Sequence, residues 1–314
     1  MFKEKTREIL MALQYRFPVS RTPFADLASD LRVDEEDLLR EVRRLKTSGV
    51  IKRVGAYLSY RAEGKESYLV AVRAEDHVSS LLEEELLRRS SVSHNYLRRH
   101  HYNMWFVVKG RRALDEIKEI LSRYDLTDHI VLRSMRTYKL AVKFDLWRGV
   151  SRSLPGMLPE EIPPPEDLGL DPEVLKSLRI LPLVSRPFLE IAERFGISED
   201  DLLSLTENLL REGILTDYGA ALDGEKLNFK VNFMVMLNSG DPNRTCERIC
   251  TEVPEATHVV LREPIGREWP YRSYCVLHAV DPKLLEEPLD KLSRISTDLV
   301  IVPSEKNLKP GVVR

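Results

Sequence analysis

What the 314-residue sequence lacks narrows it before anything it contains. No apolar run approaches the roughly 20 residues that a membrane-spanning helix needs. The first residues show no basic start, apolar stretch and small-residue cleavage site in succession. The expectation is a cytoplasmic protein without a membrane partner. Cysteine is scarce, with Cys246, Cys250 and Cys275 making up the whole set. An odd number with no CxxC spacing argues against a disulfide framework and against a metal site, so the three read as reduced thiols. Neither sign of charge dominates, since 48 Lys and Arg face 50 Asp and Glu for a formal net charge of -2. That balance excludes a protein that coats nucleic acid through overall charge and leaves room only for a local basic face. A glycine-rich phosphate loop is missing as well, so no nucleotide cofactor is expected.

What is present is a repeat. Residues 91 to 109 read SVSHNYLRRHHYNMWFVVK, and residues 255 to 278 read EATHVVLREPIGREWPYRSYCVLH. An offset of 164 carries His94 onto His258, Leu97-Arg98 onto Leu261-Arg262, Pro23-Phe24 onto Pro187-Phe188 and Gly55-Ala56 onto Gly219-Ala220. A register held over about eighty residues marks an internal duplication. The offset then grows to 169, placing Tyr102 on Tyr271 and Trp105 on Tyr274, because copy two carries the longer loop EPIGREWP after its histidine strand.

Each copy opens with a helix-turn-helix pattern. In copy one the apolar positions Phe24, Leu27, Ala28 and Leu31 precede a turn at Arg32-Val33, and Asp34 caps a helix with Leu38, Leu39, Val42 and Leu45 on one face. Gly49 stops that helix, and VIKRVGAYLS reads as a short strand pair in the place of a wing. Strand, helix, strand, strand, helix, strand follow. The predicted segments are 67–74, 77–89, 91–98, 102–109, 111–124 and 128–140 in copy one, then 228–238, 241–252, 256–262, 271–279, 281–293 and 297–303 in copy two.

The predicted class is therefore α+β, a tandem duplication of a winged helix-turn-helix plus a ferredoxin-like βαββαβ unit. Residues 1–62 and 172–226 form the winged helices, 63–150 and 227–314 the βαββαβ units, and the proline-rich 151–171 a linker. Sheet packed against sheet gives a pseudo-twofold internal dimer with both histidine strands on one cavity. An exposed sheet edge or a wing would support a homodimer.

DNA binding would need basic recognition helices in both copies. Copy one has Arg40, Arg43, Arg44 and Lys46, but copy two has Ser204, Glu207, Asn208 and Leu210 at the matching places, behind an acidic Glu199-Asp200-Asp201 start. Phosphate would repel that helix. The domain reads as structural, with no DNA partner.

A winged helix followed by βαββαβ resembles the leucine-responsive regulator (Lrp/AsnC) class. Within it, HNYLRRHHYNMWF of copy one resembles the signature of one subunit type of siroheme decarboxylase. REWPYRSYCVLH of copy two is similar to the WPYN signature of the partner subunit type, with Arg272 in the place of the asparagine. The resemblance implies a carbon–carbon lyase in which one fused chain does the work of two subunits. It would remove two acetate carboxyl groups of siroheme as carbon dioxide, giving didecarboxysiroheme for heme or nitrite-reductase heme biosynthesis. No cofactor is expected beyond the iron tetrapyrrole substrate.

That substrate is flat and rimmed by carboxylates, so its site needs an apolar slot, cations and a proton donor. His94 and His258 are the candidate acids or ligands of the substrate iron, because an imidazole ionises near neutrality. Arg98 and Arg262, with Arg53 and Arg272, are candidates for holding carboxylates, which the planar guanidinium does bidentately. Tyr96, Trp105, Trp269 and Tyr271 are candidates for stacking on the macrocycle, and His101 for a further contact. His77, His129 and His278 read as structural. Each choice has a plainer alternative, since duplication also preserves a structural histidine and strand aromatics also fill cores. At the level of the whole protein the alternatives are a tetrapyrrole-binding sensor without chemistry and a transcription regulator with a small effector.

Overall fold

A computed structural model describes residues 3–154, 156–163 and 170–310. Of the expected linker, residues 155 and 164–169 lie outside the described residues. Copy one runs α1 (Glu4–Tyr15), α2 (Pro23–Leu31), α3 (Glu35–Thr47), β1 (Ile51–Leu58), β2 (Glu66–Val72), α4 (Asp76–Arg88), β3 (Val92–Arg98), β4 (Met104–Gly110), α5 (Ala113–Arg123) and β5 (His129–Leu140). Two short strands follow, β6 (Phe144–Asp145) and β7 (Val150–Ser151). Copy two runs α6 (Pro172–Arg179), α7 (Pro187–Phe195), α8 (Glu199–Arg211), β8 (Leu215–Leu222), β9 (Val231–Asn238), α9 (Pro242–Glu252), β10 (His258–Ile265), β11 (Ser273–Ala279), α10 (Glu286–Ile295) and β12 (Asp298–Asn307).

The helix signals act as elementary capping predicts. Asp34 Oδ1 accepts the Glu36 N–H at 2.8 Å, and acidic residues fill the first turn of α3 while Arg44 and Lys46 fill its last. Leu38, Leu39, Val42 and Leu45 are buried along one face. Arg40 and Arg44 on the other face are paired with Asp37 at 2.6 Å and Glu41 at 2.7 Å, and Arg43 donates to the Leu183 carbonyl. The basic face of α3 is thus engaged within the chain.

The wing differs from the sequence expectation. VIKRVGAYLS does not fold back as a hairpin; β1 pairs antiparallel with β8 of the other copy, and Gly55 lies opposite Gly219. The glycines explain this arrangement. Gly55 has φ +145 and a Cβ there would stand 2.5 Å from the Arg179 carbonyl oxygen; Gly219 has φ +118 and a Cβ would stand 2.5 Å from the Leu13 carbonyl oxygen. Each glycine lets the end of the other copy's first helix lie on its strand, α6 on β1 and α1 on β8. The two amino-terminal units are therefore interlocked, and both wings are used inside the chain.

The sheets also join more closely than face-to-face packing predicts. Copy one has the order β5-β2-β4-β3 and copy two β12-β9-β11-β10, while β5 pairs with β10 and β3 with β12. With β10 also paired to β11, the eight long strands close into an antiparallel barrel. Closure leaves each long strand two neighbours, so the edge expected to serve a homodimer is taken up internally. The pseudo-twofold axis passes through the barrel.

Outside it, α4 and α5 bury Leu82, Leu86, Ile117 and Ile120 on copy one's strands. On copy two, α9 and α10 bury Cys246, Ile249, Cys250 and Leu292 against Val235 and Cys275. All three cysteines are free and buried. With both outer faces covered, the inward-facing residues of alternate strand positions define the interior.

Candidate active site

The barrel interior has two ends of different character. At one end Trp105, Tyr274, Met234, Met236, Leu132 and Val302 pack solidly together with Tyr102. At the other, a cavity of about 540 Å³ opens between the barrel and the β1–β8 pair. Its volume falls within the range of small-molecule sites, roughly 300–1,000 Å³.

His94 and His258 line this cavity. They sit on β3 and β10, which are not neighbours in the sheet order, so their side chains approach across the interior. Their ring centroids are 6.4 Å apart at an interplanar angle of 82°. The Tyr96 ring stacks beside His94 at 5.9 Å, and the Thr257 hydroxyl lies 3.0 Å from His258 Nδ1. Alternation places Tyr96 and Arg98 on the same strand face as His94, and Val260 and Arg262 on the face of His258.

The arginines divide into groups. Arg53 and Arg262 line the cavity and are almost fully buried. Arg98 is buried but lies behind Tyr96, its guanidinium 4.8 Å from the Tyr96 ring centre, rather than on the wall as the sequence reading expects. It donates to the Val302 carbonyl at 2.8 Å and to Asn232 Oδ1 at 3.2 Å, and Arg262 donates to Ser134 Oγ at 2.8 Å. Among the described residues these hydrogen-bond partners are neutral, and Nε of both guanidiniums is buried without one. Burial pushes Arg98 down to about 10 and lowers Arg262 as well. A buried cation held by neutral groups favours the arrival of an anion.

Five other expected residues stand away from the cavity. Trp105 is 1% exposed and donates from its indole to the Tyr102 carbonyl at 2.7 Å, in the packed end. Trp269 donates to the Tyr274 hydroxyl at 2.7 Å, and Tyr271 to Asp298 at 2.8 Å. Arg272 donates from Nε to the Arg262 carbonyl at 2.7 Å. His101 is exposed in the hairpin beyond the barrel and pairs with Asp128 at 2.7 Å. The cause is geometric. For Trp105, strand alternation fixes the face but not the depth, since two residues along a strand move a side chain about 6.6 Å; His101, Trp269, Tyr271 and Arg272 lie in the loops that precede β4 and β11.

Sequence reading passed over several residues that line the cavity. Lys109 is one, on the same face of β4 as Trp105 and Val107, where counting in twos finds it. Tyr57 belongs to the segment assigned to a wing and Tyr60 follows it directly, and Thr137 and Asn232 carried no motif. His278, expected to be structural, also lines the cavity with its ring 5.8 Å from that of Phe144. Among the described residues no group of three or more His, Cys, Asp or Glu has a metal-holding arrangement, and no helix is long and apolar enough to cross a membrane.

Comparison with known proteins adds the following. The model of the siroheme decarboxylase NirDL-like HTH domain matches residues 6–52 and 179–215, and that of the AsnC-like ligand binding domain matches 64–139 and 226–309. The chain is 27% identical over 232 residues to a siroheme decarboxylase of Hydrogenobacter thermophilus, covering 72% of this chain and 69% of that one. It is 31% identical over 140 residues to the siroheme decarboxylase alpha subunit of Desulfovibrio desulfuricans, covering 44% of this chain and 81% of the subunit. The crystal structure of the siroheme decarboxylase NirDL in co-complex with an iron-uroporphyrin III analogue has the same fold. It superimposes with a TM-score of 0.63 at 22% identity over 98% of this chain and 92% of that one.

Proposed function

We propose that this chain, which belongs to the siroheme decarboxylase family, binds siroheme in the cavity between barrel and wings and converts it to didecarboxysiroheme by removing two acetate carboxyl groups as carbon dioxide. In reaction class it is a carbon–carbon lyase, and its product feeds heme or nitrite-reductase heme biosynthesis. The observation that carries the reading is the meeting of His94 and His258 in one cavity whose walls hold the buried cations Arg53 and Arg262.

The chemistry needs little else from the protein. In each step the bond between the methylene and the carboxylate carbon breaks and carbon dioxide leaves. The electron pair passes into the conjugated macrocycle, and a proton delivered to the methylene carbon completes the new methyl group. An imidazolium supplies that proton at a cost suited to neutral pH and recovers one from solvent. Arg262 and Arg53 hold rim carboxylates, and the apolar residues of the wall keep the breaking bond away from water, which favours loss of charge as carbon dioxide departs. Either imidazole would also be a suitable ligand for the substrate's iron. The absorption spectrum of siroheme bound to each histidine variant separates ligation from proton delivery.

The test is an anaerobic incubation of the purified chain with siroheme, followed by product mass. Loss of two carbon dioxide units by the wild type, and none by His94→Ala or His258→Ala, supports the reading. A shifted absorption band with unchanged mass would leave a tetrapyrrole-binding protein without this activity.

A further inference from the structure

The duplication would make the cavity symmetric, and three pairs of equivalent residues break that symmetry. The offset of 164 places Tyr57 on Ala221 and Tyr60 on Gly224, and the offset of 169 places Lys109 on His278. All six line the cavity. On the copy-one side, Lys109 donates from Nζ to the Tyr57 hydroxyl at 2.9 Å and stands 5.4 Å and 5.2 Å from the ring centres of Tyr57 and Tyr60. The Tyr60 hydroxyl in turn lies 3.4 Å from Thr137 Oγ1. On the copy-two side, the Phe144 ring comes within 2.8 Å of where a Gly224 Cβ would be and packs against Phe229 at 4.7 Å and His278 at 5.8 Å. One corner therefore presents an ammonium and two phenols, and its symmetry mate the rings of Phe144, Phe229 and His278.

The cations nearby are not equivalent to Lys109. Lys52 and Lys306, which also line the cavity, are paired with Asp223 at 3.3 Å and Glu83 at 3.2 Å, and Lys230 lines it from an exposed position beside Phe229. Lys109 meets a phenol instead, which leaves its charge intact and lets the phenol pass a hydrogen bond onward. Burial pushes the Tyr60 phenol up, but Arg61, the contact with Thr137 and Lys109 outweigh it and bring the phenol below its usual range. The corner as a whole favours negative charge.

We infer that Lys109, Tyr57 and Tyr60 form a carboxylate anchor that seats the substrate in one of the two orientations a symmetric cavity would allow. The inference rests on the tetrapyrrole reading of this site and deepens it. A carboxylate on the rim of the macrocycle accepts from Nζ and the two hydroxyls, while the Phe144 corner offers no matching trio of donors. The acetate presented to the histidines is then fixed, and with it the order in which the two carboxyl groups leave.

The experiment compares wild type, Lys109→Gln, Lys109→Arg and Tyr60→Phe by absorbance titration with siroheme, and by isolating the product that has lost a single carbon dioxide. Losing a charge-assisted contact weakens siroheme binding by about tenfold or more in Lys109→Gln, and Lys109→Arg restores most of it. The intermediate is one isomer in the wild type and a mixture of two in Lys109→Gln. Unchanged siroheme affinity with a single isomer in Lys109→Gln, from a wild type that does decarboxylate, overturns the anchor and leaves the activity standing. A wild type that binds siroheme in a Lys109-dependent way without releasing carbon dioxide overturns the activity and leaves the anchor standing.

Discussion

The imidazoles of His94 and His258, 164 positions apart in the sequence, meet edge to face with ring centroids 6.4 Å apart. Their strands β3 and β10 are separated in the sheet order by β4, β2 and β5, so the meeting takes place across the barrel. Replacing either ring with alanine removes a proton donor or ligand without opening the packed end. Carbon dioxide release from siroheme is expected to fall by about 10²-fold or more in each variant, the scale of general acid–base contributions. Melting temperatures close to wild type would show that the loss is chemical.

Gly55 and Gly219 lie opposite each other where the two wings pair. Gly55→Ala or Gly219→Ala places a Cβ 2.5 Å from a helix carbonyl oxygen at a left-handed φ. The backbone strain alone is about 1–3 kcal/mol, and the clash adds to it. Thermal denaturation should show a clear drop in melting temperature for both. Gly240→Ala, at a position with nothing within 4 Å, should melt like the wild type.

Trp105 and Trp269 belong to the packed end of the barrel. Trp105→Ala should cost about 3–5 kcal/mol of stability in urea unfolding, as for other large buried aromatics. Trp269→Phe loses the hydrogen bond to Tyr274 and about 1 kcal/mol. Siroheme affinity of Trp269→Phe should match the wild type; a large loss would bring this residue back into the binding site.

The thiols offer a check on packing. Burial pushes Cys246 up to about 12 and Cys250 up to about 11, with Cys275 raised too. Since the thiolate is the reactive form, Ellman's reagent at pH 8 should titrate almost none of the three in the native protein. All three should react once the chain is unfolded in guanidinium.

Recognition-helix arginines that are engaged within the chain, and wings that pair with each other, leave little for a DNA duplex. Fluorescence anisotropy with duplex DNA at physiological salt should show no affinity tighter than non-specific binding, about 10⁻⁴–10⁻⁶ M. Tight binding that weakens steeply with salt would reinstate the regulator reading.

Much of this architecture was legible in the sequence. Repeats at an offset of 164, growing to 169, revealed two copies, and periodicity gave the elements of each to within a few residues, as with β5 expected at 128–140 and found at His129–Leu140. Legibility was weaker wherever a residue's partner came from the other copy. The wing strand β1 looked like half of a hairpin because the sequence does not reveal that β8 lies against it. Trp105 looked like a slot residue because its strand face was right and its depth could not be read, whereas Lys109, four positions along the same face, reaches the cavity.

The sequence by itself determined the local terms: capping at Asp34, the alternation that turns His94, Tyr96 and Arg98 to one side, and the glycines that permit close approach. These depend on a residue and its near neighbours, and hydrogen-bond geometry and side-chain period suffice to specify them. Tertiary structure alone decided which end of the barrel stays open, that both sheet edges are closed by the other copy, and that Lys109 shares a corner with Tyr57 and Tyr60 while Phe144 fills the opposite one. Those outcomes depend on volume and on contact between segments distant in sequence, from 52 residues apart for Lys109 and Tyr57 to 204 for Arg98 and Val302. Packing specifies them only once the chain has closed on itself.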